Sequence, residues 1–246
     1  MTSISHPPVT IRPLRSHDEL DAAVALQGVV WGYSALDTDS RALLTVASRF
    51  SGQTLGAFDA GDAETGAPER LIGFALAFAS LPFGRLHSHR VGVHPDYQNH
   101  GIGRQLKLAQ REDALAHGVE VVQWTFDPLQ QRNAYFNLVR LGAVARQYIP
   151  NLYGITTSPL HGGLPTDRLL VEWNLNSERV RRVLAGERPG HGPETRELRL
   201  PLPARRSDRD SQAALRDDFL RHFSEGYVAS GFREVEDTHS YILERL

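Results

Sequence analysis

Val91-Gly92-Val93-His94-Pro95-Asp96-Tyr97-Gln98-Asn99-His100-Gly101-Ile102-Gly103-Arg104 is the stretch from which the rest of the chain is read. A short apolar run, Leu86 to Val93, ends at Pro95, and Ile102, Leu106 and Ala109 then recur at helical intervals. The pattern predicts a strand, a tight loop and a helix start whose first backbone N–H groups lack partners. Such a start attracts phosphate, because unpaired donors and the positive end of the helix dipole converge there. Gly101 and Gly103 carry no Cβ, so a diphosphate can come close to the backbone. Two other phosphate loops are excluded. A Walker loop needs Gly-Lys followed by Ser or Thr, and Lys107, the only lysine in the chain, is not so placed. A dinucleotide fingerprint needs a third glycine where Leu106 stands.

Gln98-x-x-Gly101-x-Gly103 behind a strand ending Val93-x-Pro95 resembles the coenzyme A signature of the GNAT acyltransferase superfamily. The resemblance is carried by Val91, Val93, Pro95, Gln98, Gly101, Gly103 and Arg104. It implies an α/β (α+β) fold, with a mixed, mostly antiparallel sheet flanked by helices. It also implies acetyl-CoA or another acyl-CoA as cosubstrate, bound by Val91, Gly92, Val93, Gln98, Asn99, His100, Gly101, Ile102, Gly103 and Arg104, with Asn133 near the pantetheine arm. The reaction implied is N-acyl transfer to a small amine or amino acid. Trp124-Thr125-Phe126-Asp127-Pro128-Leu129 and Gly163-Leu164-Pro165-Thr166-Asp167-Arg168-Leu169 resemble a bacterial branch of that superfamily.

Composition narrows the alternatives. Hydrophobic residues make up 41% of the 246 residues and charged ones 23%, as in an ordinary globular protein. The net charge of −2 gives no basic footprint for nucleic acid. No apolar run has the length of a membrane span. Met1 to Pro8 lacks the charged and apolar regions of a secretion signal, so the cytoplasm is expected. Cysteine is absent, which excludes disulfides, thiolate metal sites and a cysteine nucleophile. No metal is expected.

Read outward from the glycine loop, the elements run β-α-α-β-β-β-α-β-α-β-β across residues 9–175. Ser16 and Glu19 form a capping box ahead of the first helix, which Gly32 ends, and a second helix is expected from Asp39 to Arg49. Gly61 to Glu69 reads as a hairpin loop and Gln130 to Leu141 as one continuous helix. Residues 1–175 are expected to form the core. Residues 176–246 are expected to form an αβ extension packed on the core or on a second subunit of a homodimer. In it, Gly186 to Pro193 reads as a linker, and Gly231-Phe232 followed by Val235 to Leu243 suggests a final strand.

Acyl transfer to an amine needs a proton acceptor, a polarised thioester carbonyl and help for the leaving thiolate. The resemblance supplies a strand bulge near Val91 to Val93 whose N–H meets the carbonyl oxygen. His87 and His89 alternate along the strand and so share a face, and their distance from Val-x-Pro matches a histidine pair of the arylalkylamine N-acetyltransferases. Imidazole titrates near working pH, which suits a base. Asp127 is a second candidate base, and equally a turn former before Pro128. The family's thiol acid, a tyrosine four residues before Gly142, is replaced by Leu138, leaving Tyr135 or Tyr148 to substitute. Asn133 is two positions out of register with the family's asparagine. Arg168 and Arg132 are candidates for gripping an acceptor carboxylate or a succinyl group, with a salt bridge from Arg168 to Asp167 or Glu172 as the alternative. Two other functions stay open: a non-catalytic acyl-CoA sensor, and a protein N-acetyltransferase.

Overall fold

The computed structural model describes residues 9–61, 66, 68–81, 84–155, 163–187, 198–202, 209–235 and 238–245. The expected leader-free N-terminus lies outside them, as do most of the 186–193 linker and part of the 61–69 hairpin loop. By its contacts the chain forms two compact units, residues 1–119 with 157–159 and residues 120–156 with 160–246.

In the first unit β1 (Val9–Pro13), β2 (Gly52–Asp59), β3 (Arg70–Ser80) and β4 (Arg85–Val93) pair antiparallel in that order. β3 reads as almost continuously apolar because both its faces are covered. On one face Phe74 and Leu76 pack under α1 (His17–Trp31) and α2 (Arg41–Val46) with Leu14, Leu20 and Leu44. On the other, Ile72 and Ala75 meet Ile102 and Leu106 of α3 (Ile102–Ala116). The capping box is formed: Glu19 N–H donates to Ser16 Oγ at 3.2 Å, and Ser16 N–H to Glu19 at 3.0 Å. Arg12 and Arg15 also bind that carboxylate, which is held down at about 2: burial pushes it up, but the hydrogen bonds from the Arg15 and Ser16 amides and from Arg12 outweigh it. Ser16→Ala is expected to lower stability by about 1 kcal/mol, read from chemical denaturation. Gly32, at φ 66°, ends α1 as expected. The second helix is shorter than expected, since α2 widens into a π-helical turn over Ala47–Ser51.

In the second unit the strands lie in the order β5 (Val121–Phe126), β7 (Arg168–Asn174), β6 (Val144–Ile149), β9 (Val228–Val235), β10 (Thr238–Glu244), β8 (Leu198–Pro201). Each neighbouring pair is antiparallel. The fold is thus α/β with a mostly antiparallel sheet flanked by helices. The elements after residue 176 continue the sheet of residues 120–175, because Ala229 of β9 pairs with Ala145 of β6. The line between compact units therefore falls at 119/120, where the sequence expectation drew it at 175/176. The expected single final strand is two, β9 and β10. Gly231 lies inside β9 opposite Ile242, and a Cβ on it would stand 3.1 Å from Ile242 Cβ, so its glycine answers to close packing and not to a turn.

The expected helix of 130–141 is α4 (Gln131–Ala134) followed by a π-helical turn, Tyr135–Arg140, whose i→i+5 pattern is seen where Leu141 N–H donates to Phe136 O at 3.1 Å. Trp124 and Trp173 meet edge to face at 6.0 Å in the core of this unit. Their indoles are satisfied, Trp124 by Asn137 and Trp173 by the Leu141 carbonyl. α5 (Glu178–Leu184) is capped by Ser177, and α6 (Arg209–Ser224) places Phe219 against Tyr148 and Tyr241.

Candidate active site

β4 loses its regular pairing at one point. Leu76 faces Arg90 and Ala77 faces Ser88, so His89 is an extra residue in the strand. The resemblance placed a bulge near Val91 to Val93; the break in pairing lies two residues earlier. A bulge turns neighbouring side chains toward one side. Here it lets His89 and Arg90 reach the same carboxylate, Asp39, in the loop between α1 and α2. His89 Nε2 lies 3.3 Å from Asp39 Oδ1, and Arg90 Nε donates to Oδ2 at 2.8 Å. Asp39 is fixed by its backbone, because Gln27 accepts from its N–H at 2.9 Å and donates to its carbonyl at 3.0 Å. Burial pushes the Asp39 carboxyl up, yet His89 and Arg90 hold it below its usual range, so it is an anion.

Arg90 ties down the rest of that loop. Its guanidinium donates to Tyr33 Oη at 2.8 Å and to the Asp37 carbonyl at 3.2 Å, and it lies over the Tyr33 and Trp31 rings. His87 and His89 are neighbours as alternation predicts, with ring centres 6.3 Å apart. Burial lowers the His87 pKa, and the charges of His89 and Lys107 act in the same direction. An ionised Asp39 only accepts, so His89 presents an N–H on Nε2 to it, and in the neutral ring Nδ1 is the acceptor.

On the far side of β4, Lys107 of α3 is wholly buried. Its Nζ donates to Ser88 Oγ at 2.8 Å and to Gln110 Oε1 at 3.1 Å, and burial lowers its pKa well below that of a free lysine.

The glycine loop is built as the spacing predicts. Gln98 Nε2 turns back to the Val93 carbonyl at 3.1 Å. Asn99 (φ 67°) and Gly101 (φ 81°) take left-handed conformations. Gly101 is the N-cap of α3, and with no side-chain cap the N–H groups of the first turn point outward. Nothing stands within 4 Å of where a Gly101 Cβ would be, and only Val93, at 3.9 Å, is near that of Gly103. The result is an open cradle of backbone donors. Asn99, His100 and Gly101 are exposed around it. Ile102 instead buries its side chain with Leu106, and Gly92 leaves room for Trp31, so these two contribute backbone alone to the loop.

The other expected site residues fall in the second unit. Asp127 forms the turn that was its alternative reading: Oδ1 accepts from Leu129 N–H at 2.8 Å. Asn133 is exposed, and Tyr135 is 47% exposed. Tyr148 is committed elsewhere, its hydroxyl donating to Asp167 at 2.8 Å, and burial with that bond pushes its pKa far above the usual phenol value. Asp167 also takes two bonds from Arg216 and one from Asn151 N–H, and Glu172 pairs with Arg146. Arg168 lies over the Tyr153 ring at 5.4 Å. Arg132, exposed on α4, lines a cavity together with Tyr135. Asp39 and Lys107 were not legible as site residues, since their partners lie far along the chain or on another element.

The sequence profile of the acetyltransferase (GNAT) family matches residues 30–140. No curated protein matches the chain. Among solved structures, the ribosomal-protein alanine N-acetyltransferase of Escherichia coli is 17% identical with a TM-score of 0.53, over 69% of this chain and 96% of its own. An N-acetyltransferase from Staphylococcus aureus is 13% identical with a TM-score of 0.52, over 69% of this chain and 99% of its own. yncA from Salmonella typhimurium, solved with its cofactor acetyl-CoA, is 17% identical with a TM-score of 0.52, over 70% of this chain and 96% of its own. At such identities these likenesses speak for the fold. The family profile lies across β4, the glycine loop and α3, so it is this part of the chain that is similar to the GNAT acetyltransferases.

Proposed function

We propose that the protein is an acyl-CoA-dependent N-acyltransferase acting on a small amine or amino acid, with acetyl-CoA or succinyl-CoA as donor. The observation that carries this reading is the His89–Asp39 pair on the strand that leads into the uncapped helix start at Gly101. Acyl-CoA would supply the activated acyl group. The backbone N–H groups at the start of α3 would hold its diphosphate, as the open space at Gly101 and Gly103 permits. His89 Nδ1 takes the proton from the acceptor ammonium, and Asp39 steadies the imidazolium that results, as an orienting carboxylate does for a catalytic base. His87, held neutral by its burial, stands beside it as the relay. Asp39→Asn is expected to lower turnover at least about tenfold with coenzyme A binding intact, because an amide no longer fixes the tautomer. The absence of cysteine favours direct transfer in a ternary complex.

The test is thiol release from acetyl-CoA and succinyl-CoA across a panel of amines and amino acids. No turnover with any acceptor, alongside tight coenzyme A binding, would make the protein a sensor and not an enzyme.

We extend the proposal to Arg168 as the residue that reads the acceptor's carboxylate. Free amino acids are then preferred over their amides. Arg168→Met raises KM for the acid at least about tenfold and leaves the amide unchanged, since ionic hydrogen bonds are worth about 1.5–3 kcal/mol each. Equal use of acid and amide by the parent enzyme would remove Arg168 from the reading.

A further inference from the structure

The second unit holds a cavity of about 540 Å³ between the α4 segment and the β9–β10 hairpin. That volume lies within the range of small-molecule sites. One wall is the π-helical turn, a feature that recurs at functional sites, and it contributes Leu138 and Val139. The hairpin contributes Ile242 beside Gly231, so with Leu138 and Val139 this wall is apolar. Gly231 keeps it open, because any side chain there would press on Ile242.

The polar lining is mostly basic. Arg132 and Arg233 stand on it with His239, and Glu234 is the acid among the described lining residues. Ser230 also lines the cavity, and its buried hydroxyl has no hydrogen-bond partner among the described residues. A wall of Tyr135, Leu138, Val139 and Ile242 accepts an aromatic or branched body. Two guanidinium groups favour a carboxylate, which they can bind through paired bonds, and repel an amine.

We propose that this cavity binds a small organic acid with an apolar body, its carboxylate held at Arg132 and Arg233. No residue of the glycine loop or the histidine pair takes part, although Arg132 and Tyr135, two candidates of the acyl-transfer reading, line this cavity.

The experiment is calorimetric titration of the full chain with phenylpropionate, phenylpropanol and phenylpropylamine, three ligands that differ only at the polar end. The acid is expected to bind at least about tenfold tighter than the alcohol, and the amine more weakly than either. Replacing Arg132 and Arg233 together with methionine should bring the acid down to the alcohol's affinity. Val139→Trp should fill the cavity and abolish binding of both. Hydrogen exchange on the unmodified protein gives an independent readout: phenylpropionate should protect amides of residues 228–235 and 238–244. Equal binding of the three ligands, or binding without protection of that hairpin, would overturn the proposal. Gly101→Glu should leave phenylpropionate binding unchanged, and its loss there would assign the ligand to the coenzyme A loop and overturn the proposal equally.

Discussion

Replacing His87 and His89 together with glutamine is expected to reduce turnover by ~10²–10⁴-fold, the usual worth of a general base, while coenzyme A affinity stays as it was. The pH profile should change with it. Burial, then the neighbouring charges of His89 and Lys107, lower the His87 pKa. As the relay, His87 is therefore neutral at neutral pH, and its contribution to the rate should fall away only as the pH drops below the ordinary imidazole value of about 6.5. The double variant should lose that acidic limb. His87→Gln and His89→Gln separately should differ: only the second removes the partner of Asp39. A double variant with unchanged rate and profile would make the pair structural.

Gly101→Glu is expected to weaken coenzyme A binding at least tenfold, roughly 1.4 kcal/mol. Two effects act in the same direction. The substitution puts a carboxylate where the first-turn N–H groups of α3 await a phosphate, and it puts a side chain at φ 81°, which L residues rarely adopt. No atom lies within 4 Å of the new Cβ, so the fold has room for it. Calorimetry on the folded variant, with circular dichroism as the control, checks the result. Unchanged affinity would separate this loop from coenzyme A.

Local signals were readable in the sequence and distant ones were not. The capping box of Ser16 and Glu19, the stop at Gly32 and the glycine loop depend on residues within a few positions of one another, and each formed as its spacing implied. The helix after Asp127 has good helical periodicity. Only the packed structure shows that its ladder widens after Ala134, because a π-helical turn changes the bonding without changing the residue types. The bulge at His89 comes from a mismatch between two strands, so β4 alone does not encode it. Asp39 stands fifty positions before the histidine it holds, and nothing in Thr38-Asp39-Ser40 distinguishes it from an ordinary residue ahead of a helix cap. The role of Gly231 was not legible for a simpler reason. Glycine at a turn and glycine at a crowded strand crossing look alike until Ile242 is known to lie opposite.

The burial of Lys107 has a practical consequence for anyone assaying this protein. It is the chain's single lysine, and its amine is both enclosed and held in a low-pKa environment. Reactive esters and high concentrations of acyl-CoA modify exposed lysines of most proteins without any catalysis. Here the folded chain offers no lysine on its surface, so acyl groups found on lysine in a reaction mixture belong to the acceptor. Acylation of Lys107 itself then becomes a reporter of opening: a mass shift at that residue registers only those molecules in which α3 has parted from β4.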